Sequence, residues 1–315
     1  MVEAAIELGR SGLRVLPLGT GCWAWGDRLF WEYGQGYGLE DVRQAFRSSL
    51  EEGIDFFDTA EIYGFGQSER CLGEFLREAG GQRRILVATK FLPYPWRLTS
   101  GAVVRALRSS LQRLQLPAVD LYQVHRPIPP RGVERWMQGM AEAAQEGLLR
   151  AVGVSNFGPD LTRRAHEALA KRGIPLASNQ VQYNLLDRTP ERTGLVEVCR
   201  ELSVTIIAYS PLAMGLLTGK YSPQTPPAGL YRWTQWGKAL ALAVPLVATL
   251  REMGQAHGGK TPGQVALNWL ICKGALPIPG AKHAAQVREN AGALGWRLTP
   301  EEVLRLDETN WKQAD

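Results

Sequence analysis

Short runs of β-branched and apolar residues alternate along the chain with longer stretches in which apolar residues recur every three or four positions. The runs Leu16–Gly19, Ile54–Asp58, Ile85–Thr89, Val119–Val124, Ala151–Val154, Ala177–Val181, Thr205–Ala208 and Ala275–Ile278 predict strands. Between and around them, Leu39–Glu52, Ser68–Glu78, Thr99–Leu114, Val133–Glu146, Pro159–Lys171, Gly194–Glu201, Ala239–His257 and Thr261–Ile271 predict helices. Short apolar runs suit strands buried on both faces, whereas a 3.6-residue period buries one face of a helix. Ser68 with Glu69, and Thr99, stand where N-caps are expected, and Pro159 and Pro262 suit first helical turns. The segment Ala4–Val15, centred on Gly9-Arg10-Ser11-Gly12, predicts a hairpin ahead of the first buried strand. Ala213–Lys238 contains Pro223, Pro226, Pro227 and Gly229 and is too long for an idle connection, so it is expected to be a functional loop.

Strands separated by helices imply a parallel sheet. Eight such units in 315 residues predict one domain over residues 1–315, an α/β fold of the (β/α)8 TIM-barrel class with an N-terminal β-hairpin. A doubly wound sheet is the competing fold and usually carries a GxGxxG turn after an early strand. Gly19-Thr20-Gly21 lacks the third glycine, and Gly34-Gln35-Gly36-Tyr37-Gly38 lies in an aromatic loop.

The net charge of +5 comes from 36 Lys and Arg against 31 Asp and Glu, scattered without a long basic block, which argues against a nucleic-acid partner. Apolar runs such as Val204–Tyr209 are too short to span a bilayer, so no membrane partner is expected. Cys22, Cys71, Cys199 and Cys272 form no CxxC pair, which points to a reducing compartment, with no metal site. The N-terminus does not read as a signal peptide. A cytoplasmic protein is therefore expected, and, with no exposed apolar stripe in the sequence, a monomeric one.

Chemistry-bearing residues stand where predicted strands end. Asp58, Lys90 and His125 end three successive strands, and Tyr63 follows Asp58 on the next loop. In a barrel those ends share one face, with neighbouring strands ~4.8 Å apart, so the groups converge within roughly 10 Å. Singly, Asp58 reads as a turn cap, Lys90 as a solvated lysine, His125 as a core histidine and Tyr63 as packing. Together they match carbonyl reduction, which sends a hydride to carbon and a proton to oxygen. A tyrosine can supply that proton if an ammonium lowers its pKa from about 10. Lys90 fits that part with Asp58 holding it in place, and His125 fits an orienting donor to the carbonyl oxygen.

The run Gly53-Ile54-Asp55-Phe56-Phe57-Asp58-Thr59-Ala60-Glu61-Ile62-Tyr63-Gly64 resembles the aldo-keto reductase family. The resemblance continues through Thr89-Lys90, Asp120–His125, Gly153-Val154-Ser155-Asn156-Phe157, Asn179–Asn184, Ala208–Leu212 and Pro277–Lys282. It implies a barrel that binds NADPH or NADP+ across its carboxyl face without a Rossmann fold. The family's catalytic tetrad falls on Asp58, Tyr63, Lys90 and His125, and its carboxamide-binding positions on Ser155, Asn156 and Gln180. Tyr209 takes the place that stacks on the nicotinamide, and Ser210, Leu212, Gly215 and Lys220 match the segment crossing the pyrophosphate. Gly280, Ala281, Lys282, Gln286, Glu289 and Asn290 match the adenosine-phosphate and adenine positions. Two departures are Arg126, where many members carry an aromatic residue, and Gln286, where some carry an arginine clamp. Lys282 is left as the charge for the 2′-phosphate. Arg126 suits an anionic or phosphorylated carbonyl. The Trp-rich loop from Cys22 to Tyr33 is most similar to reductases of plant plastids and photosynthetic microbes. Trp25 and Trp96, with Trp233 and Trp236, are expected to rim a pocket for small reactive aldehydes such as methylglyoxal, for aromatic aldehydes or for pyridoxal.

Two other functions compete. A Schiff-base aldolase would use Lys90 as nucleophile, but Asp58 beside it keeps the amine charged. A non-catalytic redox-sensing subunit, similar to the potassium-channel β-subunits that share the fold, would bind NADP(H) and turn over slowly.

Overall fold

The computed structural model describes residues 3–81, 84–129, 132–222, 224–225 and 230–308, with 230–238 described by their backbone. The chain opens with an antiparallel hairpin, β1 (Ile6–Glu7) and β2 (Arg14–Val15), in which Ile6 faces Val15. Eight parallel strands follow in one sheet, each hydrogen-bonded to the next in chain order. They are β3 (Thr20–Gly21), β4 (Phe56–Asp58), β5 (Leu86–Phe91), β6 (Val119–Val124), β7 (Leu149–Ser155), β8 (Leu176–Gln182), β9 (Thr205–Tyr209) and β10 (Leu276–Pro277). The helices are α1 (Leu39–Glu51), α2 (Gln67–Glu78), α3 (Gly101–Leu114), α4 (Val133–Gln145), α5 (Pro159–Ala170), α6 (Thr189–Arg192), α7 (Leu195–Glu201), α8 (Leu230–Ala256), α9 (Pro262–Cys272), α10 (Ala284–Ala291) and α11 (Pro300–Glu308).

The sheet closes on itself. The Gly19 N–H donates to Pro277 O and the Gly21 N–H to Pro279 O, both at 3.0 Å, and Gly21 bridges Gly280 in parallel. A Cβ on Gly21 would lie 2.8 Å from Ile278 O, so the seam needs glycine there. The seam strands are short because Pro17, Pro277 and Pro279 give the ladder no N–H. For the same reason the first parallel strand is Thr20–Gly21, where Leu16–Gly19 was predicted.

Inside the barrel Phe56, Leu86, Ala88, Leu121, Ala151, Ala177, Ile207, Leu276 and Ile278 form one apolar cluster with Leu8, Leu13 and Val15 of the hairpin. That cluster fills the barrel, so polar chemistry is confined to the carboxyl ends above it. Outward-facing residues such as Phe57, Val87, Tyr122 and Val152 join the helices in a second, larger core.

Three local expectations change. Residue 68 lies within α2 and binds elsewhere, Ser100 precedes α3 where Thr99 was expected to cap it, and neither N-cap makes a side-chain capping bond. Helix α8 starts at Leu230, so part of the expected functional loop is helix, and a 3-10 turn covers Ala213–Thr218. Pro223, Pro226, Pro227 and Gly229 lie outside the described residues. Thr261 does cap α9, in a reciprocal box with Gln264. Among the described residues no helix is long and apolar enough to cross a membrane.

Candidate functional site

Above the apolar barrel interior the next inward positions are polar. Asp58 ends β4 and Lys90 lies in β5, opposite Gln123 of β6. Lys90 is fully buried and Asp58 is 2% exposed, and Lys90 Nζ lies 2.5 Å from Asp58 Oδ1. Two buried charges survive only when paired and fully hydrogen-bonded. That condition is met. Lys90 directs its three protons to Asp58, to Thr59 O at 2.8 Å and to Tyr63 Oη at 3.2 Å. Asp58 Oδ2 accepts from Gln123 Nε2 at 3.1 Å and Gln180 Nε2 at 2.8 Å. Burial disfavours the ammonium, but attraction to Asp58 and Tyr63 outweighs it and holds Lys90 above its ordinary pKa.

Tyr63 lies on the 3-10 turn Tyr63–Gly66 that links β4 to α2. Its ring meets His125 edge-on at 5.7 Å and 83°, and Lys90 Nζ lies 4.8 Å from the ring centroid. Burial raises the Tyr63 pKa, and Lys90 opposes that without reversing it. The sequence expectation of a net lowering is therefore corrected: the phenol stays protonated at neutral pH. His125 is pushed down to about 2, by burial first and then by the charges of Lys90 and Arg126. Its imidazole is neutral. Its Nδ1 is buried without a hydrogen-bond partner among the described residues, which leaves Nε2 to meet a ligand.

The β7 and β9 ends form a polar group of their own. Ser155 Oγ donates to Gln180 O at 2.8 Å, Asn156 Nδ2 to His125 O and Ser155 Oγ, both at 3.0 Å, and Tyr209 Oη to Asn156 Oδ1 at 3.0 Å. Gln180 thus spends its amide N–H on Asp58, because a carboxylate with one lysine partner still needs donors for its second oxygen. Asn156 (φ 60°) and Ser210 (φ 49°) hold left-handed backbone at the mouth, as does Gly215 (φ 96°), with Lys220 Nζ over the Tyr221 ring. Leu212 is half-buried beside them.

Across the seam, Gly280 is exposed, and a Cβ added there would meet only Gly21 O at 3.8 Å. Helix α10 follows His283, whose side chain makes no capping bond, which leaves first-turn N–H groups available to an anion. Lys282 is not the isolated point charge expected. Its Nζ donates to Trp31 O at 3.1 Å and sits 4.2 Å from the Tyr37 ring centroid and 4.9 Å from that of Trp31. Gln286 accepts from the Lys282 N–H at 2.7 Å, Glu289 accepts from the Thr261 hydroxyl, and Asn290 is buried.

The aromatic rim differs from expectation. Trp25 is fully buried against Phe57 and Phe75 and cannot touch a substrate; its indole donates to Ala281 O at 2.8 Å, fixing the segment before Lys282. Trp23 is the residue of that loop near the tetrad, 6.1 Å from the Tyr63 ring and packed with Phe30 and Trp31. Trp96 is 72% exposed and stacks on Tyr94 at 4.6 Å. That segment is fixed by Glu61, which pairs with Arg97 and accepts the Leu92 N–H. The Trp233 and Trp236 side chains lie outside the described residues. Arg126 is exposed and directly follows His125 beyond the end of β6, which puts it at the mouth. Sequence reading missed Gln123, although its i, i+2 relation to His125 places both on one strand face.

The family model described as Aldo/keto reductase family matches residues 17–310. The chain is 45% identical over 307 residues to "Pyridoxal reductase, chloroplastic" of Arabidopsis thaliana, covering 94% of this chain and 83% of that protein. It is 32% identical over 322 residues to an L-glyceraldehyde 3-phosphate reductase of Escherichia coli O157:H7, covering 95% and 90%. A crystal structure of a thermostable aldo-keto reductase bound to the inhibitor epalrestat superposes with a TM-score of 0.78 at 32% identity, covering 96% of this chain and 98% of the other. The glycerol dehydrogenase of Gluconobacter oxydans superposes with a TM-score of 0.80 at 26% identity, covering 98% and 95%.

Proposed function

Because this chain belongs to the aldo/keto reductase family, and so to oxidoreductases that act on carbonyls with a nicotinamide cofactor, we propose that it reduces aldehydes with NADPH, with Tyr63 as proton donor. One observation carries this reading: a buried ammonium, locked by Asp58, directs its third proton at the hydroxyl of Tyr63, 3.2 Å away. When bound, the reduced nicotinamide supplies the hydride. The carbonyl oxygen sits between Tyr63 Oη and neutral His125, which donates a hydrogen bond without competing as an acid. As charge grows on that oxygen, the Tyr63 proton moves to it and Lys90 stabilises the phenolate left behind. The aldolase reading loses support, since all three Lys90 protons are engaged and its amine is held charged. A slow redox-sensing subunit is separated by turnover measured beside cofactor affinity.

The donor set fits the cofactor. Ser155 and Asn156, with Gln180 once its amide turns from Asp58, suit a carboxamide. Tyr209, its ring fixed through Asn156, suits the nicotinamide face, and Gly280 with the start of α10 suits a phosphate. Lys282 is the charge available for the 2′-phosphate, but the dianion must share it with Trp31 and Tyr37. Lys282→Ala should therefore weaken NADPH binding at the low end of a charge-assisted contact, about 1.5 kcal/mol or ~10-fold, and leave NADH nearly unchanged. Titrating both cofactors into the variant decides this; equal weakening would remove Lys282 from the phosphate site.

For substrate we favour planar aromatic aldehydes of the pyridoxal class, with methylglyoxal as the smaller alternative. Support comes from Trp23 beside Tyr63 and from the relative named for pyridoxal. The test is a carbonyl panel followed by NADPH oxidation, and a preference for small aliphatic aldehydes over pyridoxal would overturn the choice. In the same panel Arg126→Ala should raise KM for carboxylated or phosphorylated aldehydes by about 2- to 5-fold and spare neutral ones, the loss of one exposed ion pair. Uniform change would mean that Arg126 points to solvent.

A further inference from the structure

Tyr63 is carried on unusual backbone. The three residues after it, Gly64 (φ 54°), Phe65 (φ 54°) and Gly66 (φ 84°), are all left-handed, and α2 begins at the next residue. Phe65 has a side chain, is 81% exposed and gains no packing that would offset the strain. Such backbone persists only where its surroundings over-determine it.

Two contacts do so. On one side a Cβ on Gly64 would lie 2.5 Å from Gly26 O, so the Trp-rich loop presses directly on the turn. On the other, a Cβ on Gly66 would lie 2.7 Å from Cδ and 2.9 Å from Nε of Arg113, which reaches over from α3. Arg113 is itself fixed: its Nε lies 2.5 Å from Oε2 of Glu69, and its second guanidinium nitrogen donates to Ser110 Oγ at 3.1 Å. Glu69 is fully buried, and its other oxygen accepts from the Thr89 hydroxyl at 2.6 Å. Thr89 directly precedes Lys90 in β5. One carboxylate therefore ties together the strand that carries the lysine, the first turn of α2 and the arginine lying against the tyrosine's turn.

We propose that Arg113 is a positioning residue, clamped by Glu69, that holds the strained turn so that Tyr63 Oη stays within reach of Lys90. The proposal rests on Tyr63 as proton donor. Arg113 touches none of Asp58, Tyr63, Lys90 or His125 through its described hydrogen bonds, so its effect is indirect: through Gly66 to the turn, and through Glu69 to Thr89 beside Lys90. It also borders a cleft of about 370 Å³, lined with it by Arg70, Glu74, Arg77, Gln112 and Gln115, which gives small solutes a route to the clamp.

Arg113→Ala should lower kcat by about 10- to 100-fold, the scale of a misplaced catalytic group, with NADPH affinity changed less than about twofold. The alkaline limb of alcohol oxidation, which reports the Tyr63 phenolate, should move to higher pH as the phenol drifts from Lys90. Millimolar guanidinium chloride, entering by the cleft, should restore part of kcat. Arg113→Lys keeps the charge opposite Glu69 but not the planar group over Gly66, so it should fold normally and still show the kcat loss and the pH shift. It therefore decides the matter if the alanine variant does not fold. Wild-type kcat and pH profile in Arg113→Lys, or an Arg113→Ala that folds, loses kcat and is unmoved by guanidinium, would overturn the proposal. Tyr63→Phe run alongside separates the failures: if it keeps full turnover, the reading of Tyr63 falls, and if it is inactive while Arg113→Lys is normal, only the clamp falls.

Discussion

Tyr63→Phe should cut carbonyl turnover by at least ~100-fold while leaving NADPH binding within about twofold of wild type. The substitution deletes one oxygen and little else. That oxygen accepts a hydrogen bond from Lys90, which keeps Asp58 and Thr59 as partners when it is gone. The ring keeps its contacts with His125 and Trp23. Stability should therefore change by no more than about 1 kcal/mol, the net worth of an ordinary hydrogen bond. No neighbouring group can take over the proton. His125 is pushed down to about 2 and is neutral at working pH, and Lys90 is held above its ordinary value. Steady-state rates with an aromatic aldehyde, beside cofactor titration by fluorescence, check both halves. Turnover near wild type would show that the proton comes from another group, with water then the first candidate.

The order of strands and helices was legible because each buried run is short, β-branched and punctuated, and because a central parallel strand is apolar on both faces. Asp58, Lys90 and His125 were legible as a site because a barrel sends strand ends to one face. What failed did so for local reasons. Trp25 reads like Trp23 in sequence, and what buries its indole, Phe57, Phe75 and the Ala281 carbonyl, is distant in the chain. Ser68 and Glu69 look like the start of a helix, but Ser68 Oγ bonds Thr59 and Cys22 O, and Glu69 binds Arg113 and Thr89. Those partners lie 9 to 46 residues away in sequence, beyond any capping pattern. Lys282 looked like a free charge because the contacts that engage it come from residues ~250 positions earlier, across the barrel seam. The direction of the Tyr63 pKa was misjudged because a sequence shows the neighbouring lysine but not the depth of burial, and here burial is the larger effect.

Lys90→Met should be the more disruptive of the tetrad changes, and its two consequences can be separated. The first is on stability. Methionine fills the space of the lysine stem but leaves Asp58 as a buried carboxylate held only by Gln123 and Gln180. Breaking one side of a buried ion pair typically costs about 3–5 kcal/mol, which lowers Tm by about 5–8 °C in a chain of this size. The pH dependence has a definite sign. Because the folded pKa of Lys90 lies above its ordinary value, the stability it contributes is complete below that ordinary value, near 10.5. It is lost only as pH climbs through the raised folded value. The wild type should therefore show a stability decline in strong alkali that the variant lacks. The second consequence is on chemistry. Burial already raises the Tyr63 pKa and Lys90 is the neighbour that pulls it down most, so without the lysine the phenol becomes a weaker acid still. Aldehyde reduction should fall by at least ~100-fold, least at acid pH where solvent protons substitute, and the alkaline limb of alcohol oxidation should move upward. Asp58→Asn/Lys90→Met removes the orphaned charge, so it should recover most of the lost Tm while remaining catalytically dead. If the double variant regains turnover along with stability, Lys90 serves only to neutralise Asp58, and its role in setting the proton donor is wrong.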